Sequence, residues 1–436
     1  MKGSLLLPLY RAASACFGLV SPLFLHWRAN VGREPRARIG ERLGRPSLAR
    51  PEGRLAWLHG ASAAKVMALA PLVERLGSAG LTVLVTTRSA TPVSLAMLRL
   101  PPRSLHQLAP LDVPKFMARF LDYWRPDIVL VAESEIWPNL IVEARRRETP
   151  LALVNAKLSA RSFLLWRKAP GLIRALMRRI DLCLAQTDAD AARFEAFGAQ
   201  RVQAVGNAIY DLTPPPADAA ALARLAARIG ARPAWVAAAT YPGEEEIALE
   251  VHRRVARHFP SLLTIIAPRR AKRGFDLALR AVKLGLTARR RAGDRETEPL
   301  PDIYIAATIG EAGLFYRAAG VVFLGKSLCR EGGENPIPPA KLGCAILHGP
   351  EVGDFEEAYA ALDAAGGAAT VFDAESLASE LALLLFDSGE QRAMARAAAD
   401  AMERLSGASN KIMQAIEPYI AQMMVSCNGV ETGIPK

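Results

Sequence analysis

The sequence predicts an α/β protein made of two doubly wound parallel sheets, and three observations carry that expectation. Short apolar runs alternate with helix-length segments, as parallel strands do when helices cover both faces of their sheet. The theme occurs twice, before and after Thr213-Pro214-Pro215-Pro216, a stretch that reads as a stiff linker. The 436 residues, 51% of them hydrophobic, suffice for two buried cores and argue against disorder.

The elements follow in order. Residues 5–27 are mostly apolar, interrupted by Pro8, Arg11 and Pro22, with Tyr10 and Trp27 as interfacial aromatics. About 20 apolar residues span a bilayer, so 1–28 is expected to anchor the chain, either crossing the membrane or lying in its interface. Eight arginines against three glutamates follow over 28–54, which makes that side cytoplasmic by the positive-inside rule. Lacking a small-residue cleavage site, the anchor is expected to be retained.

The first domain, 29–212, is expected to hold strands at 54–59, 81–86, 128–132, 151–154, 182–185 and 202–205. Helices are expected at 63–77 and 116–124, with a hydroxyl-rich turn at 86–91. The second, 213–436, repeats the pattern with strands at 234–239, 262–267, 303–306 and 321–324. Its helices are expected at 244–258, 309–317, 377–386 and 391–405, and 409–424 is expected to return to the first domain. Two such domains on a short linker predict a ligand cleft between them.

Lysine and arginine outnumber aspartate and glutamate by 55 to 43, a surplus suited to an anionic membrane or phosphorylated substrates. Nucleic acid is not expected as a partner, because no binding motif is present and the basic residues are dispersed. Cys16, Cys183, Cys329, Cys344 and Cys427 form no Cys-x-x-Cys pair, which supports neither a zinc site nor a disulfide framework.

Candidate chemistry gathers at strand ends. The apolar run 128–132 leads straight into Glu133-Ser134-Glu135, at the end of the strand where open α/β sheets bind ligands. The plainer alternative is that these carboxylates favour the positive end of the next helix. In the second domain Pro268-Arg269-Arg270 suits phosphate or carboxylate. Thr308-Ile309-Gly310-Glu311 opens a helix where an anion is favoured, though plain capping explains it equally. Gly325-Lys326-Ser327 is compatible with a phosphate cradle but lacks the upstream glycine of a Walker A loop. Gly332-Gly333-Glu334-Asn335 suits close approach of backbone to a nucleotide. Glu244-Glu245-Glu246 reads as helix-stabilising and Arg289-Arg290-Arg291 as a solvated face.

Taken together these residues resemble the bacterial 3-deoxy-D-manno-octulosonic acid (Kdo) transferases, inverting glycosyltransferases of the two-domain GT-B type. The resemblance rests on Ala109-Pro-Leu-Asp112, Arg125-Pro-Asp127 through Asn139, Asn155-Ala-Lys-Leu-Ser159 with Arg161-Ser162, and Gln186. It continues through Gly206-Asn207, Tyr210-Asp211, Gly243-Glu-Glu245, Pro268-Arg269, Gly310-Glu311, Gly332-Gly333 and Asn335-Pro336. It implies CMP-Kdo as donor, a lipid A precursor as acceptor and a place on the cytoplasmic face of the inner membrane among anionic lipids. It implies no metal and no cofactor. The acceptor would lie in the first domain near Ser62 and Glu133. The donor would lie in the second, near Pro268, Arg269, Ile309, Gly310, Glu311, Lys326, Ser327, Gly332, Gly333 and Asn335.

The chain departs from the family at chemical positions. The turn His59-Gly-Ala-Ser62-Ala-Ala-Lys65 has lysine where the family keeps its glutamate base, and a protonated lysine cannot accept a proton. Ile209 replaces a family lysine, Tyr241 and Arg270 replace histidines, and Pro338 replaces a glutamate expected on the nucleotide ribose. Three readings stay open: a transferase using Glu133 or Glu135 as base, a paralogue with another donor or acceptor, and a membrane-associated binding protein without turnover.

Overall fold

A computed structural model of the chain describes residues 5–88, 100–291, 299–308, 310–329 and 332–428. Residues 89–91 of the hydroxyl-rich turn, and Ile309, lie outside that set. The chain forms two compact units, one of residues 1–212 with 406–436 and the other of 213–405.

The first unit carries a seven-stranded sheet of β1 (Leu55–Gly60), β2 (Thr82–Thr87), β3 (Ser104–Leu108), β4 (Ile128–Ala132), β5 (Leu151–Ala156), β6 (Leu182–Ala185) and β7 (Val202–Ala204). The strands run parallel in the order β3-β2-β1-β4-β5-β6-β7. Strand β4 shows why an all-apolar run is needed at the centre. Val129 and Val131 enter one core cluster while Ile128, Leu130 and Ala132 enter the other, because successive side chains leave opposite faces of a strand. The order reverses between β1 and β4, which opens a crevice at their carboxyl ends.

The second unit repeats the design with β8 (Ala234–Thr240), β9 (Leu263–Pro268), β10 (Ala288–Arg290), β11 (Ile303–Ile305), β12 (Val321–Leu324), β13 (Ala345–His348) and β14 (Ala368–Thr370). The order β10-β11-β9-β8-β12-β13-β14 reverses between β8 and β12.

Several elements differ from expectation. The helix expected over 63–77 is two helices, Ala63–Met67 and Ala70–Ser78; Pro71 in the first turn of the second explains the break, since proline lacks an N–H and clashes one turn back. Strands β3, β10, β13 and β14 were not anticipated, and three of these four, β3, β10 and β14, are sheet edges, where polar residues are tolerated. Arg289 and Arg290 belong to edge strand β10, where Arg290 is exposed as a solvated face requires, but the Arg291 side chain is only 4% exposed against Glu311. The helix expected from 309 begins at Ala312.

Helix Ala408–Asn428 packs on the first unit: Ala408, Ile412, Ile416 and Ile420 recur every four residues and join its core cluster. Asp211 accepts the Gly407 and Ser409 amides, pinning the start of that helix.

Candidate active site

The turn after β1 and the turn after β4 meet at the crevice of the first unit. Glu133 leaves β4 with φ +57°, a left-handed conformation that costs a non-glycine residue about 1 kcal/mol or more. Its amide donates to Val154 O at 3.0 Å, and its Oε2 is salt-bridged to Lys65 Nζ. Ser62 Oγ accepts the Lys65 amide at 3.4 Å. Three of the expected residues, Ser62, Lys65 and Glu133, therefore share one turn-to-turn contact. Lys65 stands there as the cation of a pair and holds Glu133 in place.

Glu135 is held differently. Trp137 Nε1 donates to its Oε2 at 2.8 Å, His59 Nε2 lies 3.8 Å away and Arg88 Nη1 3.7 Å away. Burial works to raise the Glu135 carboxyl, but the His59 and Trp137 donors and the Arg88 charge outweigh it and hold it below the usual carboxylate value. Burial likewise holds the His59 imidazole below its ordinary value. Thr86 Oγ1 accepts the Trp57 indole N–H at 2.9 Å and faces His59 Nδ1 at 2.9 Å.

A cavity of about 390 Å³ is lined by Trp137 and Arg88, the neighbours of Glu135, together with Phe24, Leu25 and Arg28 of the N-terminal helix, Arg42, Glu34 and Asp112. Arg42 is committed to the fold, bonded to Glu34 at 2.9 Å and to Ala109 O at 2.9 Å. His59, Arg88 and Trp137 were missed as site residues. Position offered a signal for two of them, since His59 is the penultimate residue of β1 and Arg88 directly follows β2, while Trp137 caps the helix after β4.

In the second unit the expected residues also gather at strand ends. Lys326 has φ +63° directly after β12, and the Gly333 amide donates to its carbonyl at 3.0 Å. Gly332 has φ +123°, a backbone conformation that side-chain-bearing residues rarely adopt, so glycine is favoured there. Lys326 Nζ pairs with Asp354. The amides of the Gly325-Lys326-Ser327 turn, however, are already engaged. Lys326, Ser327 and Leu328 N–H all donate to the fully buried Glu244 carboxylate at 2.8–3.0 Å, as does Tyr241 N–H at 2.9 Å. Those amides cradle an internal carboxylate, and the Lys326 ammonium is itself paired with Asp354. Ser327 is buried and bonded to Leu324 O and to Gly349 N. Glu244, read from sequence as a helix-end charge, is the clamp between β8 and β12.

Pro268 is buried, and exposed Arg269 follows it with its amide on Thr240 O at 3.0 Å. Thr240 Oγ1 is buried and unpartnered among the described residues. Glu311 binds Arg291 through two bonds of 2.9 and 2.6 Å, and it precedes a short helix whose start lies just past exposed Gly310. Asn335 Oδ1 accepts the Ile337 amide at 3.0 Å. Lys326, Ser327, Gly332 and Gly333 thus form one loop cluster, Arg269 joins it through Thr240, and Glu311 belongs to a separate ion pair.

Residues 37–212 match the family described as 3-deoxy-D-manno-octulosonic-acid transferase (kdotransferase). The 3-deoxy-D-manno-octulosonic acid transferase of Bordetella pertussis is 33% identical over 379 residues, covering 84% of this chain and 87% of its own. A probable mitochondrial 3-deoxy-D-manno-octulosonic acid transferase of Arabidopsis thaliana is 30% identical over 368 residues, 82% of each chain. The solved structure of a UDP-GlcNAc 2-epimerase from Neisseria meningitidis superposes with a TM-score of 0.56 at 13% identity, over 84% of this chain and 100% of that one. At that identity the likeness shows the fold alone, and that fold is of the GT-B type. Sequence identity running through both units, with two doubly wound sheets beneath it, makes the chain a member of the 3-deoxy-D-manno-octulosonic acid transferase family of glycosyltransferases.

Proposed function

We propose that the chain transfers Kdo from CMP-Kdo to a lipid A precursor, with Glu133 as the proton acceptor. The acceptor enters the first unit's cavity, its phosphates towards Arg28 and Arg88 and its acyl chains towards Phe24 and Leu25. Glu133 takes the proton of the attacking hydroxyl as the new bond to the anomeric carbon forms. The bond from that carbon to the CMP phosphate oxygen breaks, CMP leaves, and the configuration inverts. In the second unit Arg269 and Lys326 meet the departing phosphate.

The observation that carries this reading is the crevice beside β1 and β4, where Glu133 stands in a strained backbone directly after β4 and the following turn contributes Trp137 to a cavity that Arg28, Arg88, Phe24 and Leu25 also line. Glu133 is preferred over Glu135 because one Glu135 oxygen accepts the Trp137 indole N–H with His59 and Arg88 within 4 Å of it, and the carboxyl is held low, which weakens it as a base. Glu133 has one cation, Lys65.

That same pairing favours a second reading, a protein that binds both substrates without turnover. Incubating the purified chain with CMP-Kdo and lipid A precursor separates the two. The transferase reading expects the acceptor to gain the mass of one or two Kdo units. No gain, with CMP still bound, leaves the binding-protein reading.

A further inference from the structure

Helix Leu6–Asn30 is long and apolar enough by composition to cross a membrane, and little of it is buried. Its contacts, however, run along almost its whole length against the first unit. Tyr10 Oη donates to Asp112 at 2.9 Å, Arg11 binds Glu143 at 2.8 Å, and Asn139 Nδ2 donates to Ser14 Oγ at 3.0 Å. Gly18 lies so near Val113 that a Cβ would meet it at 2.7 Å. Ser21 and Leu25 are buried, and Arg28 lies 3.6 Å from Glu34. These positions recur every three or four residues and form one helix face. The opposite face is bare: Leu5, Leu9, Leu19, Leu23 and Trp27 are 55–85% exposed. A helix crossing the bilayer would have to strip its polar face from the domain and carry Arg11 into hydrocarbon.

A second bare apolar element lies on the same unit. Helix Ala160–Trp166 exposes Leu164 (58%) and Leu165 (64%). The next helix, Pro170–Met177, supplies Ile173, Leu176 and Met177 to the cluster that takes Leu7 of the N-terminal helix. Charge around both elements has one sign. Residues 1–33 contain no aspartate or glutamate, and 157–180 contain seven lysines and arginines and no acidic residue. Arg161, Arg167, Lys168, Arg174 and Arg178 are exposed.

We infer that the first unit docks on an anionic leaflet through two elements at once: the N-terminal helix lying in the membrane plane without crossing it, and the 160–168 segment inserting Leu164 and Leu165 beside it. Apolar side chains enter the acyl boundary while the basic ring meets lipid headgroups. The inference rests on the family's association with membranes but goes beyond it, to orientation and to a second element.

Two measurements test it. In a chain whose sole cysteine is Leu5→Cys, a membrane-impermeant maleimide is expected to react only from the face on which the domains lie; reaction from the opposite face alone overturns the in-plane helix. With vesicles containing phosphatidylglycerol, a Leu164→Asp/Leu165→Asp chain of unchanged circular dichroism is expected to bind about tenfold or more weakly than the parent, and equal binding overturns the second element. Transfer to detergent-dispersed acceptor is expected to be the same in parent and variant. A parent that transfers in detergent yet ignores these vesicles sinks the docking inference while leaving the transferase reading intact.

Discussion

Lys65 and Glu133 define what is unusual in this chain. The family's base position is held by the cation of an ion pair, so the carboxylate of the pair becomes the candidate base. One consequence is testable by reversing the substitution. With Glu133 as the base, Lys65→Glu removes the cation that holds it and sets a like charge beside it, so the transfer rate is expected to fall, whereas recovery of a missing general base would raise it by about 10²- to 10⁴-fold. A gain of that size in a steady-state transfer assay would show that Glu133 is not the working base. Glu244 makes the complementary point about structure. Its carboxylate receives four backbone N–H groups in a fully buried site. Removing it in Glu244→Ala leaves those donors unpaired, at about 1–3 kcal/mol for each buried group left unsatisfied. A loss of at least about 3 kcal/mol in urea denaturation is expected. Sequence distance explains why this role was hard to foresee, since three of the four Glu244 partners lie 82 to 84 residues downstream.

The elements were legible in the sequence where burial on both faces forces an apolar run, as in β4 and β12, whose bounds are those expected. Strand β3 was not, because Ser104, His106 and Gln107 alternate no clean apolar face at a sheet edge. The N-terminal helix was legible as apolar, and its Arg11 as an interruption, but the partners of its polar face lie 102 to 132 residues away. Many family motif residues turn out to be fasteners between elements: Asp112 accepts the Asn139 and Leu140 amides, Asp127 the Leu55 amide, Asn155 the Ala208 amide and Asp211 the start of the last helix. That last helix is integral to the first unit. Ile416 is fully buried among β-strand side chains, and Ile416→Ala is expected to cost about 2–5 kcal/mol, read as a lower denaturation midpoint.

Across the molecule, acid should weaken the fold well before neutralising its carboxylates. His59, His106 and His252 are all held below the ordinary imidazole value, chiefly by burial, and His106 sits at about 4 with Arg38 adding to the effect. The unfolded chain binds these protons near pH 6.5 while the native one refuses them. Their contribution is therefore fully present above about pH 6.5 and is lost as pH falls towards the native values. A melting temperature that drops between pH 7 and pH 5, with a smaller drop in His106→Gln, is the expected outcome. Both units share the doubly wound plan and both gather functional candidates where strand order reverses, but the proton-transfer chemistry is assigned to the first alone. The rate of Kdo transfer from CMP-Kdo to lipid A precursor, compared between the parent chain and Glu133→Gln, tests that assignment. Loss of about 10²- to 10⁴-fold with CMP binding unchanged is predicted; a Glu133→Gln chain that transfers within a few-fold of the parent would contradict it.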